Sequence, residues 1–186
     1  MKISTRCYKF TSRQFTKILK KLPGKDEGIG SVVIEPNLDS KTIKVLFLLN
    51  KSFPLRRNLC IKVNMLQEII NSGDIPKSAR ACCSVDGGVI IICLDTEYEK
   101  ENPFYIIHEY FHALQFDAHI VMYNNSDVET PAYVFTTAIS YKNDNVTKND
   151  LIYYTHPYNK AGKGILKDFE VLKHIRAEFF RILKEA

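Results

Sequence analysis

No apolar run in this 186-residue chain approaches the roughly 18 residues that a membrane-spanning helix needs, so a transmembrane anchor is not expected. The N-terminus is basic, but the apolar segment of a secretory signal peptide does not follow it. Five cysteines (Cys7, Cys60, Cys82, Cys83 and Cys93) make an odd count, and no CxxC spacing occurs among them. Neither a zinc ribbon nor a redox pair is thereby signalled. Cys60, Cys82 and Cys93 fall inside apolar runs and read as small core hydrophobes. No internal repeat and no linker-like segment divides the chain. A single domain over residues 1–186 is expected, in a reducing cytoplasmic setting (host cytoplasm or virion, were the chain viral).

Acidic residues are missing from positions 1–25, which carry eight Lys or Arg. Four of these interleave with Phe15, Ile18, Leu19 and Leu22 at helical spacing, as on the solvated face of an amphipathic helix. An anionic partner is the alternative use of that face. The overall charge of +5 is too mild to announce nucleic-acid binding. With 45% hydrophobic residues the chain can bury a sizeable core.

Thr11 to Leu22 reads as a helix, with Thr11 and Gln14 at capping-box spacing and Pro23-Gly24 as its stop. Ser31–Glu35 and Thr42–Leu49 read as a β-hairpin around Asn37-Leu38-Asp39-Ser40, and Asn58–Val63 as a further strand. Asn64 is placed to cap a short helix that Gly73 ends. Ala79–Val85 and Val89–Leu94, joined by Asp86-Gly87-Gly88, carry a strong hairpin signal. The second run is apolar at six consecutive positions and suits an inner strand, whereas Arg80 and Ser84 suit the first to an edge. Pro103 opens a helix to about Ala118, and another begins near Ser126–Thr130 and runs to about Tyr141. Residues 142–162 read as a polar loop. Ile165, Leu166, Phe169, Leu172, Ile175, Phe179, Ile182 and Leu183 mark a C-terminal amphipathic helix. Strands first and then three helices give an α+β fold with a small sheet.

The chemistry concentrates in Ile106-Ile107-His108-Glu109-Tyr110-Phe111-His112-Ala113-Leu114. On a helix, His108 and His112 lie one turn apart on one face, their Cβ atoms roughly 5–6 Å apart. Both rings can then reach one ion at zinc–nitrogen distances of roughly 2.0–2.1 Å. Glu109 can sit beside a water at that ion without taking a ligand position, as in the HExxH helix of metalloproteases. A buried acid and two histidines without a partner would be costly, and a metal removes the cost. A core in which the three merely bond one another is the structural alternative.

A catalytic zinc site takes three protein ligands and leaves one position for water. On a continuous helix His119 lies about 10 Å beyond His112 along the axis, out of reach. The HExxHxxGxxH pattern is excluded, because Gln115 stands at its glycine position and Ala118 at its last histidine. Glu129, seventeen residues after His112, is the preferred third ligand. The Ser126–Glu129 spacing also fits a capping box, although Pro131 argues against a helix starting as early as Ser126. Asp117 and Asp127 remain as other sources.

His108-Glu109-Tyr110-Phe111-His112 followed by Glu129-Thr130-Pro131-Ala132-Tyr133 resembles the gluzincin branch of the zincin metallopeptidases. More narrowly, HEYFHALQ with a following ExxAY is similar to small metallopeptidase-like proteins of phages and bacteria, over roughly residues 79–141. The resemblance implies a zincin-like fold, His108, His112 and Glu129 as zinc ligands, and a peptide or protein substrate. It implies that Arg80–Val85, as the outer strand of the hairpin before the motif helix, pairs with the substrate backbone. Glu109 would act as general base, taking a proton from water and passing it to the leaving amine. A downstream Tyr or His commonly steadies the oxyanion in that branch; Tyr153, Tyr154 and His156 are the candidates, with Tyr133 another. A zinc endopeptidase is the leading expectation. A catalytically silent structural or interaction protein of zincin descent and a non-proteolytic zinc hydrolase or toxin domain are the alternatives; an intact Glu109 argues against the first, and a narrow pocket in place of an open cleft beside Arg80–Val85 would favour the second.

Overall fold

The computed structural model describes residues 5–24, 27–63, 65–75, 77, 79–95, 103–120, 125–140 and 170–185. Their element order is α1 (Thr5–Lys20), β1 (Val32–Ile34), α2 (Ser40–Ser52), β2 (Leu59–Lys62), α3 (Leu66–Ser72), β3 (Ala81–Asp86), β4 (Val89–Leu94), α4 (Phe104–Asp117), α5 (Asn125–Ser140) and α6 (Glu170–Lys184). The fold is mixed α+β, with a four-stranded mixed sheet in the order β1-β2-β4-β3. β1 and β2 pair parallel, as do β2 and β4, and β3 runs antiparallel to β4.

The hairpin expected at residues 31–49 does not form. Thr42–Leu49 lies within helix α2, which carries the chain across to the parallel strand β2. Parallel neighbours need such a crossover, because a tight turn can join only antiparallel strands. Asp39 starts the helix: its carboxylate accepts hydrogen bonds from the backbone N–H groups of Lys41 (2.9 Å) and Thr42 (3.2 Å). Thr42, Val45, Leu46 and Leu49 then fall on one buried face at helical spacing. The β-branched residues of the run had favoured a strand, but burial of that stripe and the cap outweigh their propensity.

Other boundaries shift as well. Helix α1 begins at Thr5, so Thr11 lies inside it and not at its cap. Asn64 lies outside the described residues; Met65 occupies the N-cap position of α3 with no side-chain cap bond, and Gly73 closes that helix in the left-handed conformation. Helix α5 starts at Asn125 with Pro131 inside it, earlier than the proline argument allowed. Helices also alternate with the strands along the chain instead of following them.

The β3–β4 hairpin forms as expected, Gly87 and Gly88 both taking positive φ (54° and 83°), as a two-residue turn matched to strand twist demands. β4 is an inner strand and β3 an edge. Ile90, Ile92 and Leu94 of β4 and Leu59 and Ile61 of β2 enter the core. α4 packs against β3, β4, α2 and α5, and twelve of its fourteen residues are buried. An aromatic cluster ties the helices together: Phe15 of α1, Phe53 after α2 and Phe135 of α5 lie with ring centroids 5.7–5.8 Å apart, and Phe111 of α4 lies 4.8 Å from Phe135. No helix among the described residues is long and apolar enough to cross a membrane.

Candidate metal centre

Because α4 is enclosed nearly all round, its polar residues are the ones that require explanation. His108, Glu109, His112, Gln115 and Asp117 are all buried, where an unpaired charge or donor is expensive. Asp117 is accounted for by structure alone: its two carboxylate oxygens accept hydrogen bonds from the backbone N–H groups of Arg56 (3.1 Å) and Arg57 (3.0 Å). His119, with φ 50°, lies against the Arg57 guanidinium at 3.2 Å. Neither joins the two motif histidines.

The remaining groups converge. His108 and His112 bring their Nε2 atoms to 3.1 Å from each other. Glu129, in the second turn of α5, places Oε2 3.2 Å from His108 Nε2 and Oε1 3.6 Å from His112 Nε2. The ligating atoms of the three residues all lie within 4.8 Å of one another, and they are the only such group found among the described residues. Two atoms bound to one tetrahedral zinc at ~2.05 Å stand about 3.3 Å apart, close to all three of these separations. Two imidazole nitrogens at 3.1 Å with a carboxylate between them can share few protons and accommodate a cation readily. The His108–His112–Glu129 group could therefore hold a metal ion.

Electrostatics follow the same geometry. Burial raises the Glu129 carboxyl, but hydrogen bonds from His108 and His112, with their charge, outweigh it and hold Glu129 well below the usual carboxylate range. For His112, burial opposes the imidazolium, yet the bond to Glu129 and the charges of Glu109 and Glu129 leave its pKa raised in the metal-free protein. Glu109 is different: burial pushes its carboxyl up, and the two histidines only partly offset this. The base candidate and the ligand candidate thus line one cavity with carboxyl pKa values shifted in opposite directions.

These groups line a cavity of about 610 Å³. Ala79, Arg80, Ala81, Cys82 and Cys83 of the edge-strand region form one wall, and Phe104, Tyr105, Phe116, Ile120 and Tyr133 supply apolar surface. The Tyr133 ring lies 4.4 Å from that of His108. Tyr153, Tyr154 and His156 lie outside the described residues, so Tyr133 is the one oxyanion candidate seen at the site.

Two residues were missed by sequence reasoning. Gln115 places Oε1 2.7 Å from His112 Nδ1. Its amide nitrogen donates to Gln14 Oε1 (2.9 Å) and to the Val128 carbonyl (3.1 Å). The i, i+3 spacing of His112 and Gln115 on one helix was a usable signal; Gln14 is 101 positions away and had none. Among the described residues His108 Nδ1 is buried without a hydrogen-bond partner. No protein-family model, curated protein or solved structure matches this chain, and the centre is read from its own geometry.

Proposed function

We propose that this chain is a zinc-dependent metallopeptidase of zincin type, hydrolysing peptide bonds at the His108–His112–Glu129 centre. The observation that carries the reading is the pairing of that triangle with a fourth buried group, Glu109, which lines the same cavity but lies outside the ligand set. Two imidazoles and a carboxylate are a donor set of hydrolytic zinc. The same set serves non-haem iron, but a free carboxylate beside the ligands is what hydrolysis requires. When bound, the metal supplies Lewis-acid polarisation of a carbonyl and acidifies water.

The chain's own residues do the rest. Glu109 takes the proton released as water attacks and delivers it to the leaving nitrogen; its raised pKa strengthens it as a base. Tyr133, whose ring lines the cavity 4.4 Å from that of His108, is the candidate to donate to the developing oxyanion. β3 is the edge strand of the sheet among the described residues, and its residues Ala81, Cys82 and Cys83 line the cavity, so an extended peptide could add there as a further strand.

The test is elemental analysis of purified protein followed by digestion of a mixed-sequence peptide library, wild type against Glu109→Gln. Bound zinc with cleavage lost in the variant supports the proposal. Cleavage that persists in Glu109→Gln overturns the mechanism, and iron as the resident metal would move the reading to oxygen chemistry.

A further inference from the structure

We propose that Gln115, held in turn by Gln14 of α1, is the positioning residue of the centre, selecting the ligating tautomer of His112 and anchoring the helix that carries Glu129. The inference rests on the metal-binding part of the function proposed above, though its first half concerns His112 alone.

The orientation of the Gln115 amide follows from its neighbours. The Val128 carbonyl can only accept, so the group 3.1 Å from it must be the amide nitrogen. The other hydrogen of that nitrogen goes to Gln14 Oε1. The amide oxygen is then left facing His112 Nδ1 at 2.7 Å, and an oxygen there requires a proton on Nδ1. In the neutral ring Nε2 is consequently bare, and Nε2 is the atom that faces His108 and Glu129. One side chain therefore presents the lone pair that a metal needs.

The same amide fixes a second ligand. Val128 precedes Glu129, so the bond from Gln115 on α4 to the Val128 carbonyl sets the early part of α5 against the motif helix. Gln14 is buried and comes from the basic N-terminal helix, which makes α1 part of the centre's support and not merely a cover. His108 has no comparable partner at Nδ1 among the described residues, and its Nε2 faces the Glu129 carboxylate. Control of the tautomer through Nδ1 is thus confined to His112 and rests on Gln115.

Three variants separate the two jobs. Gln115→Met removes both. Gln115→Glu keeps an acceptor for His112 Nδ1–H but can no longer donate to Val128 or Gln14. Gln14→Met removes only the distant anchor. Zinc affinity is measured by competition with a chelator, and the His112 tautomer by nitrogen-15 NMR of the metal-free protein at alkaline pH, with circular dichroism confirming the fold of each variant. In wild type the proton should sit on Nδ1. Gln115→Met should lose that preference and bind zinc roughly 10–100-fold more weakly. Gln115→Glu should restore the tautomer while affinity stays reduced, and Gln14→Met should fall between it and wild type. A proton on Nε2 in wild type, or unchanged zinc affinity in a folded Gln115→Met, would overturn the inference. If wild type bound no metal at all, the function proposed above would fail while the tautomer measurement still decided the role of Gln115.

Discussion

Replacing Glu109 with Gln should have opposite effects on activity and on stability. Glu109 is 6% exposed, and burial raises its carboxyl pKa in spite of the two histidines. A carboxyl whose folded pKa lies above its unfolded value costs stability wherever it is ionised: the cost is absent at low pH and develops as pH rises through the raised pKa. Glutamine has nearly the same shape and no charge to desolvate. Glu109→Gln should therefore melt above wild type at neutral and alkaline pH and match it in acid, where Glu109 is protonated. Activity should move the other way. A positioned general base contributes about 10²–10⁴-fold, equivalent to roughly 3–5 kcal/mol of barrier, and glutamine cannot accept the proton. Thermal unfolding of the metal-free proteins across pH, alongside turnover of a cleaved library peptide, reads both effects. A variant less stable than wild type at alkaline pH would show that Glu109 is a structural group. Residual cleavage within a few-fold of wild type would show that it is not the base.

Three other substitutions or titrations probe the frame around the centre. The Tyr110 hydroxyl, buried on the motif helix, lies 2.8 Å from the Phe53 carbonyl and 2.9 Å from Asn50 Oδ1, and its one proton is shared between them; Tyr110→Phe should cost about 1–3 kcal/mol by removing that donor from a buried site, measured by denaturant unfolding, with zinc affinity unchanged. Asp39→Ala should cost about 1 kcal/mol by removing the N-cap of α2, and Asp39→Ser should recover much of it in the same assay. In the metal-free protein, the depressed Glu129 carboxyl contributes stability that is lost as pH falls toward its folded pKa, and the raised His112 imidazole contributes stability that is lost as pH rises through its own. A melting-temperature maximum on the mildly acidic side is expected, flattened in Glu129→Gln, and zinc should invert the alkaline limb because the ligands bind deprotonated.

The motif helix was legible because a short-range rule governs it: His108 and His112 one turn apart are neighbours on any helix, and Pro103 opens that helix. The β3–β4 hairpin was legible for the same reason, its turn chemistry being written in Asp86-Gly87-Gly88. Residues 42–49 mislead because a short apolar run such as Val45–Leu49 carries no period that separates a buried helix from a buried strand; the Asp39 cap and the parallel partner β2 decide it. Pro131 misled in the other direction, since α5 accommodates a proline that local propensity would exclude. Gln14 could not be found at all. Its place depends on how α1 docks on α4 and α5, through Phe15 against Phe53 and Phe135, which is tertiary packing without a local trace.

Whether His108, His112 and Glu129 form one metal site is tested most directly by the metal content of purified wild type and Glu129→Ala, measured side by side. About one zinc per wild-type chain, lost or sharply weakened in the variant, is the expected result, since a catalytic site relies on three protein ligands. Zinc held equally by both proteins would contradict the assignment of Glu129, and no metal in either after loading would contradict the site itself.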